Sequence, residues 1–319
     1  MWTSDERRRA LADISNLNIL VTGGTGSFGQ AFCRWTLTQA KSITVYSRDE
    51  FKQGEMAALF ERDPRLHFVV GDVRDLARLK HAMRGIDVVV HAAAMKQVPA
   101  CEENPIEAIN SNIGGSYNVV CAATAEHVPL VVALSTDKAA RPTNVYGATK
   151  LIAERLFLSI PEGVTAGCVV RCGNIFGSRG SVVPLFQSQA ALGAEITVTD
   201  FNMTRYSITP EEAVEMVLLA IRAGHNGEMF VPKMPSYYLT DVVEALAPDC
   251  EVREIGARAG ERLHECLITE TEAPDARDAG SYWIIERGRG DGTIGAKHSD
   301  HNDHWLVPAD IRAMAKDYL

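Results

Sequence analysis

The stretch "NILVTGGTGSFG", residues 18–29, joins a short apolar run to a glycine-rich turn, and the fold is read outward from it. "NILVT" (18–22) reads as a buried strand, and a helical pattern opens at Ser27. Gly23, Gly26 and Gly29 stand in a G-x-x-G-x-x-G pattern, a variant of the dinucleotide-binding turn. Glycine there permits a tight turn, close approach of backbone to a pyrophosphate, and close packing of helix on strand. The phosphate charge then sits at a helix N-terminus. Any tight loop can call for glycine, so the turn alone is a weak signal. Its place between strand and helix, at the head of a βαβ series, makes it specific.

Five more runs repeat the strand pattern: "SITVY" (42–46), "LHFVV" (66–70), "DVVVH" (87–91), "LVVAL" (130–134) and "GCVVR" (167–171). Near-continuous apolar runs are what a parallel sheet covered on both faces requires. Helix-length segments lie between them, among them 27–40, 74–83 and 104–126. The expectation is an α/β fold: a doubly wound, Rossmann-like parallel sheet over residues 1–173, with residues 1–15 as an N-terminal arm holding a short helix at 3–13. From residue 174 the pattern loosens. "SVVPLFQSQAAL" (181–192) and "TPEEAVEMVLLAIRAG" (209–224) read as helices, the second with Thr209 as N-cap and Pro210 at the first helical position. "EITVTD", "EMFVPK" and "CEVREIG" are short strand candidates, and "SYYLTDVVEAL" holds another helix. Residues 174–319 are therefore expected to form a smaller α/β lobe for substrate, able to lend a strand or helix back to the first domain.

Composition bounds the function. The 319 residues are 46% hydrophobic, enough for a sizeable core, and 32 Lys plus Arg against 41 Asp plus Glu leave a net charge of -9. Nucleic acid and anionic membrane surfaces are poor partners for such a chain, so any phosphate must be held by local basic residues. The N-terminus has no apolar signal core, and no run approaches the roughly 20 apolar residues of a membrane helix. Seven cysteines without a C-x-x-C pair read as reduced, buried thiols of a cytoplasmic protein.

The second strand runs into "VYSRDEFK" (45–52). An acid at that point serves the ribose of NAD, whereas an arginine accommodates the extra phosphate of NADP. Ser47 and Arg48 come first, Lys52 follows one helical turn on, and Asp49 is displaced, which favours NADP over the plainer reading of a solvated charge cluster. "GDV" (71–73) places Asp72 within reach of an adenine amino group. "STDKAARPTNVYGATK" (135–150) begins at the carboxyl end of the fifth strand, the edge where open α/β sheets bind ligands. Tyr146 and Lys150 fall one helical turn apart on one face, where an ammonium favours phenolate. Tyr146 can then act as general base on a hydroxyl whose carbon surrenders hydride, with Ser135 or Thr136 bonded to the same oxygen. Asp137 and Lys138 exceed what hydride transfer needs. They suit an acid and a base for eliminating water next to a new ketone, or equally a structural ion pair. The catalytic roles would need a shared dry environment that raises the acid's pKa and lowers the base's.

At these residues the chain resembles the extended short-chain dehydrogenase/reductase superfamily, and within it the inverting UDP-N-acetylglucosamine 4,6-dehydratases. The likeness rests on "TGGTGSFG", "YSRDEFKQGEM", "AAAMKQVPACEENPIEAINSNIGG", "LSTDKAARPTNVYGATK", "VRCGNIFGSRGSVVPLF", "MTRYSIT" and "ARAGERLHE", with S-T-D-K as the distinguishing mark. It implies that the Asp137–Lys138 pair is functional. Tyr146 and Lys150, with Thr136, would serve oxidation at carbon 4; Lys138 would be the base at carbon 5 and Asp137 the acid at the carbon 6 hydroxyl. The implied NADP set is Gly23, Thr25, Gly26, Ser27, Phe28, Gly29, Ser47, Arg48, Lys52, Asp72, Val73, Ala92, Lys96, Ser135, Tyr146 and Lys150. Lys96 would also approach the UDP-sugar substrate. Asn174, the backbone of Ser181 and Val182, and Thr197 would contact its nucleotide; Arg205, Arg258 and Glu261 would hold diphosphate and ribose. A homo-oligomer is implied too. The chain departs from the family in "RAGER", where R-P-G-E-K is usual, and in His298, which replaces an aromatic residue. The alternatives are a 4-epimerase or a retaining dehydratase, and, from another class, a non-catalytic dinucleotide sensor. His298, His301 and His304 with Asp300 and Asp303 read as a polar tail, with no metal expected.

Overall fold

Each apolar run of the first half becomes a central strand: β1 (Asn18–Thr22), β2 (Ser42–Ser47), β3 (Leu66–Val70), β4 (Val88–His91), β5 (Leu130–Thr136) and β6 (Ala166–Cys172). The computed structural model describes residues 14–318, so the helix read at 3–13 lies outside the described residues. The six strands pair in parallel in the order β3-β2-β1-β4-β5-β6. This is the doubly wound order, with its switch point between β1 and β4. Val21, Val45, Val89, Val132 and Val170 are fully buried along it, which explains why the runs are continuous rather than alternating.

The helices of this half are α1 (Ser27–Thr36), α2 (Glu50–Leu59), α3 (Leu76–Met83), α4 (Val98–Glu103), α5 (Pro105–Ala108), α6 (Gly115–Ala125) and α7 (Val145–Leu158). Residues 104–126, read as one helix, are interrupted by a π-helical turn at Ile109–Gly114. The extra residue in that turn accompanies a buried Asn112, whose side-chain amide brackets the backbone of Met95 at 2.8 and 2.9 Å and reaches Thr149 on α7 at 3.0 Å.

The second half supplies α8 (Val182–Ala191), α9 (Pro210–Ala223), α10 (Leu239–Leu246) and α11 (Pro308–Tyr318), with β7 (Asn174–Ile175), β8 (Ile196–Val198) and β9 (Thr204–Ile208). Helix α9 starts on the expected cap. The Thr209 hydroxyl accepts from the Glu212 N–H at 3.1 Å, and the Glu212 carboxylate accepts from the Thr209 N–H at 3.0 Å. Helices α1 and α9 pack together against the sheet, while α3, α6 and α7 pack together as well, α7 against β5 and β6. Strand β10 (Met229–Pro232) adds in parallel to β6, and β15 (Tyr282–Ile285) and β14 (Ala276–Asp278) extend it antiparallel, giving nine strands. A second core gathers Phe186 and Val183 of α8, Ile196 of β8, Val242 of α10 and Ile311 of α11. Around it, β9 lies between β7 and β11 (Ser236–Tyr238), β8 pairs with β12 (Val252–Glu254), and β13 (Cys266–Ile268) pairs with β16 (Lys297–His298). Among the described residues no helix is long and apolar enough to cross a membrane.

Candidate active site

A cleft of about 830 Å³ runs along the carboxyl ends of β1, β2, β4 and β5 and reaches the residues that follow β6. Its floor is the glycine turn. Gly23 has φ +66°, and a Cβ there would come within 2.8 Å of the Ala93 backbone; at Gly29 it would come within 2.4 Å of the Gly24 backbone. Helix α1 begins beyond with no side-chain cap and no acid in its first turn, so its leading N–H groups face the cleft unopposed by charge. These features fit a dinucleotide pyrophosphate. Thr25, Gly26, Ser27, Phe28, Ser47, Arg48, Lys52, Asp72, Val73, Ala92, Lys96 and Ser135 line the same cleft.

At the end of β2 the two acids are already engaged. Asp49 caps α2 through the Lys52 N–H and pairs with the Lys52 ammonium at 3.0 Å. Asp72 takes a forked bond from Arg74, 2.7 Å at its shortest, and faces Arg48 at 3.7 Å. The Arg48 side chain remains 65% exposed.

The other arm of the cleft holds the Tyr146–Lys150 helix and the turn after β5. Thr136 caps that turn, and its hydroxyl donates to Asp137 Oδ1 at 2.8 Å. Asp137 is fully buried behind the cleft wall, and its Oδ2 has no hydrogen-bond partner. Lys138 Nζ is held by three acceptors: Asp137 Oδ1 at 3.0 Å, Glu265 Oε1 at 3.1 Å and Asn174 Oδ1 at 3.3 Å. Three acceptors match the three N–H groups of an ammonium. Burial disfavours the lysine charge, but the two carboxylates outweigh it and raise its pKa. Burial also raises Asp137, with Glu265 adding to the rise and Lys138 opposing it. Both groups are therefore raised, Lys138 by Asp137 and by Glu265, the second of which was not foreseen; the neutral pair is expected only with substrate closed over it.

Burial governs both Tyr146 and Lys150. Burial pushes the Tyr146 phenol up to about 12, with Lys138 and the Thr136 hydroxyl pulling against it. Lys150 Nζ donates to the Leu134 carbonyl at 2.7 Å, and burial takes its pKa down to about 8. Lys138 is a further cation that favours phenolate.

At the far end, Arg205 of β9 is buried, donates to the Thr204 and Leu263 carbonyls at 2.7 and 3.1 Å, and lies 3.6 Å from Glu265. Asn174, Ser181 and Val182 at the α8 N-terminus, Arg258 and Glu261 share this part of the wall. Two of the expected residues are absent from it. Asp137 sits behind Thr136 and Lys138, and Thr197 is turned toward Gln189 of α8 at 2.9 Å. Other residues enter that the sequence reading passed over. Glu265 and Arg262 come from the end of "ARAGERLHE", and Arg179 bonds the Thr25 carbonyl, folding its loop onto the glycine turn. The signal for Glu265 was a second acid in a motif already singled out. In the tail His301 pairs with Asp300 at 3.0 Å, and among the described residues no three His, Cys, Asp or Glu side chains gather to hold a metal. All seven cysteines are unpaired.

Comparison with known proteins follows the same lines. A family model described as polysaccharide biosynthesis protein matches residues 19–287. A UDP-N-acetylglucosamine 4,6-dehydratase (inverting) from Campylobacter jejuni subsp. jejuni serotype O:2 is 46% identical over 275 residues, 84% of this chain and 82% of that one. A UDP-glucose 4-epimerase from Rickettsia akari is 41% identical over 280 residues, again 84% and 82%. The X-ray structure of Pen from Bacillus thuringiensis superposes with a TM-score of 0.91 at 36% identity, over 96% of this chain and 98% of that one.

Proposed function

We propose that this chain, which belongs to the polysaccharide biosynthesis protein family, is an NADP-dependent 4,6-dehydratase of UDP-N-acetylglucosamine that inverts carbon 5. The observation that carries the reading is the buried Asp137–Lys138 pair beside Tyr146 at one end of a cleft with a dinucleotide turn at its floor. NADP would be held along the glycine turn and, when bound, would supply hydride acceptance at carbon 4 and hydride donation at carbon 6. Arg48 and Lys52 meet the 2′-phosphate, since the carboxylates of Asp49 and Asp72 are already paired with cations. Tyr146 takes the proton of the carbon 4 hydroxyl, helped by the Lys138 charge.

Elimination starts from the ion pair. Lys138 passes a proton to Asp137, so that –NH₃⁺ and –COO⁻ become –NH₂ and –COOH. The neutral amine removes the proton on carbon 5. Asp137 releases its proton to the carbon 6 hydroxyl through Thr136 Oγ1, which stands between it and the cleft at 2.8 Å. Water leaves, a carbon 5–carbon 6 double bond forms, and the charged pair is restored. Arg205, Arg258, Glu261 and Asn174 hold the nucleotide end. In this reading residues 1–173 hold the cofactor and 174–319 the sugar nucleotide, in a cytoplasmic homo-oligomer.

The test is incubation with UDP-N-acetylglucosamine and NADP in deuterated water, read by NMR. The expected product is a 4-keto-6-deoxy sugar nucleotide with deuterium at an inverted carbon 5. The second reading, 4-epimerisation, is supported by the Rickettsia relatives' name, and would instead give a 4-epimer with its carbon 6 hydroxyl retained and no deuterium at carbon 5.

A further inference from the structure

Lys138 lies between two carboxylates, and among the described residues Glu265 is the one paired with a second cation, Arg205. Glu265 is 2% exposed, immediately ahead of β13. Its backbone is clamped on both sides by Ser299: the Glu265 N–H donates to Ser299 Oγ at 2.8 Å and the Ser299 N–H donates to the Glu265 carbonyl at 2.9 Å. The side chain is thereby aimed at Lys138 at 3.1 Å, with Arg205 at 3.6 Å on its other flank. Arg262, on the same wall, adds positive charge. Asp137 has Lys138 as its cation, the Thr136 hydroxyl as its other donor, and an unpartnered Oδ2. The remaining ionisable neighbours are Tyr146 from α7, Tyr206 from β9, Tyr237 from β11 and Cys172 from β6, and burial raises the pKa of each of the four.

We propose that Glu265 is the positioning residue of the acid–base pair: it stays charged between Lys138 and Arg205, and its charge makes Asp137 the carboxylate that receives the lysine's proton. The inference rests on the dehydratase reading for its meaning, but not for its test. Two like charges sharing one cation cannot both remain ionised at low cost, and the one with more cations keeps its charge. Arg205 and Arg262 both act on Glu265, whereas among the described residues Asp137 has no ion pair with Arg205 and is the weakest of the charges that act on Arg262. When the proton leaves Lys138 it therefore goes to Asp137 Oδ1, the oxygen that both the lysine and the Thr136 hydroxyl touch, and from which Thr136 can relay it to the cleft. Glu265 touches neither substrate nor cofactor in this scheme.

The experiment follows the Asp137 carboxyl carbon by NMR in ligand-free, aspartate-labelled protein, assigned with Asp137→Asn. Glu265→Gln removes the like charge at constant shape. We expect the Asp137 titration midpoint to fall by about one pH unit or more. Glu265→Asp retains the charge at a greater distance, so its midpoint should lie between the two, and it keeps the question answerable if the Gln variant folds poorly. In turnover, the acid limb of the pH–rate profile should move down by the same amount, because Asp137 must be ionised to receive the lysine's proton. A merely structural role would lower the rate without moving the limb. A midpoint unchanged in both variants overturns the proposal. Loss of UDP-N-acetylglucosamine turnover in the native protein, with the ordered midpoints intact, would instead count against the dehydratase reading alone.

Discussion

Asp137 and Lys138 are neighbours in sequence, yet their state is set by what lies across the fold from them. A lysine with three acceptors is an ammonium, and an ammonium is no base. The pair becomes competent by moving one proton inward, which leaves two neutral groups suited to a dry, closed site. Oxidation and elimination should therefore separate by mutation. Tyr146→Phe should abolish every step, including any transient NADPH absorbance. Lys138→Ala should slow oxidation through loss of its charge beside Tyr146, but lower dehydration further, by about 10² to 10⁴, so that reduced cofactor accumulates. Near-normal dehydration by Lys138→Ala would make the pair structural. Lys150 invites a stability measurement. Its pKa falls from 10.5 to about 8 through burial, equivalent to about 3 kcal/mol of stability lost at neutral pH. Between about pH 8 and 10.5 the unfolded chain binds a proton that the folded chain does not, so stability rises with pH across that window. We expect Lys150→Met to be inactive, more resistant to urea at pH 7, and without that rise.

At the scale of the element, the turn between β1 and α1 is held by absent side chains. A methyl at Gly29 would press on the Gly24 backbone at 2.4 Å, where nothing flexible can yield. Gly29→Ala should cost about 1–3 kcal/mol in denaturant unfolding and weaken NADP binding, because α1 must move off the strand that aims it. The β2–α2 junction governs cofactor choice. Arg48 is exposed and paired only loosely with Asp72, so it is free to turn to a 2′-phosphate. Arg48→Ala should weaken NADP by about ten- to a hundredfold in titration calorimetry, leave NAD nearly unchanged, and so close the gap between them. Equal native affinities would refute the assignment. The π-helical turn belongs here as well. It is the local irregularity that lets Asn112 tie the 93–97 loop to α7, and a helical pattern read from spacing carries no sign of it.

At the scale of the whole molecule, one buried arginine joins the halves. Arg171 of β6 is wholly inaccessible, and its five N–H groups meet five acceptors: both oxygens of Glu154 on α7, both of Glu272, and the Leu267 carbonyl of β13. Glu154 lies one turn beyond Lys150, so the catalytic helix is fastened to a segment from the far end of the chain. Removing only the cation strands two buried carboxylates. Arg171→Met should therefore cost about 3–5 kcal/mol in thermal or denaturant unfolding. A loss below about 1 kcal/mol would mean that the site tolerates the unpaired acids by neutralising them.

Much of this was legible locally. Five of the six strands could be read because a strand buried on both faces is a continuous apolar run; β3, at the sheet edge, keeps the apolar run though it is only partly buried. The glycine turn, the Thr209 cap and the Tyr146–Lys150 spacing are likewise conditions on a few adjacent residues, set by sterics and helical pitch. The cleft gathers nearly every residue expected of it, since those residues sit at strand ends whose positions follow from the doubly wound order. What could not be read is long-range. Strands β13 to β16 are only two to four residues long, so their addition to the sheets depends on which partner the returning chain meets. Thr197 reads as a cleft residue until β8 turns it toward α8. Glu265 and Arg205 reach Lys138 only after the chain has folded back across the sheet edge. Charge state depends on every neighbour within a few ångströms, and sequence distance says nothing about which those are. The residues of the acid–base pair are written in the sequence; which of them holds the proton is a property of the packed site.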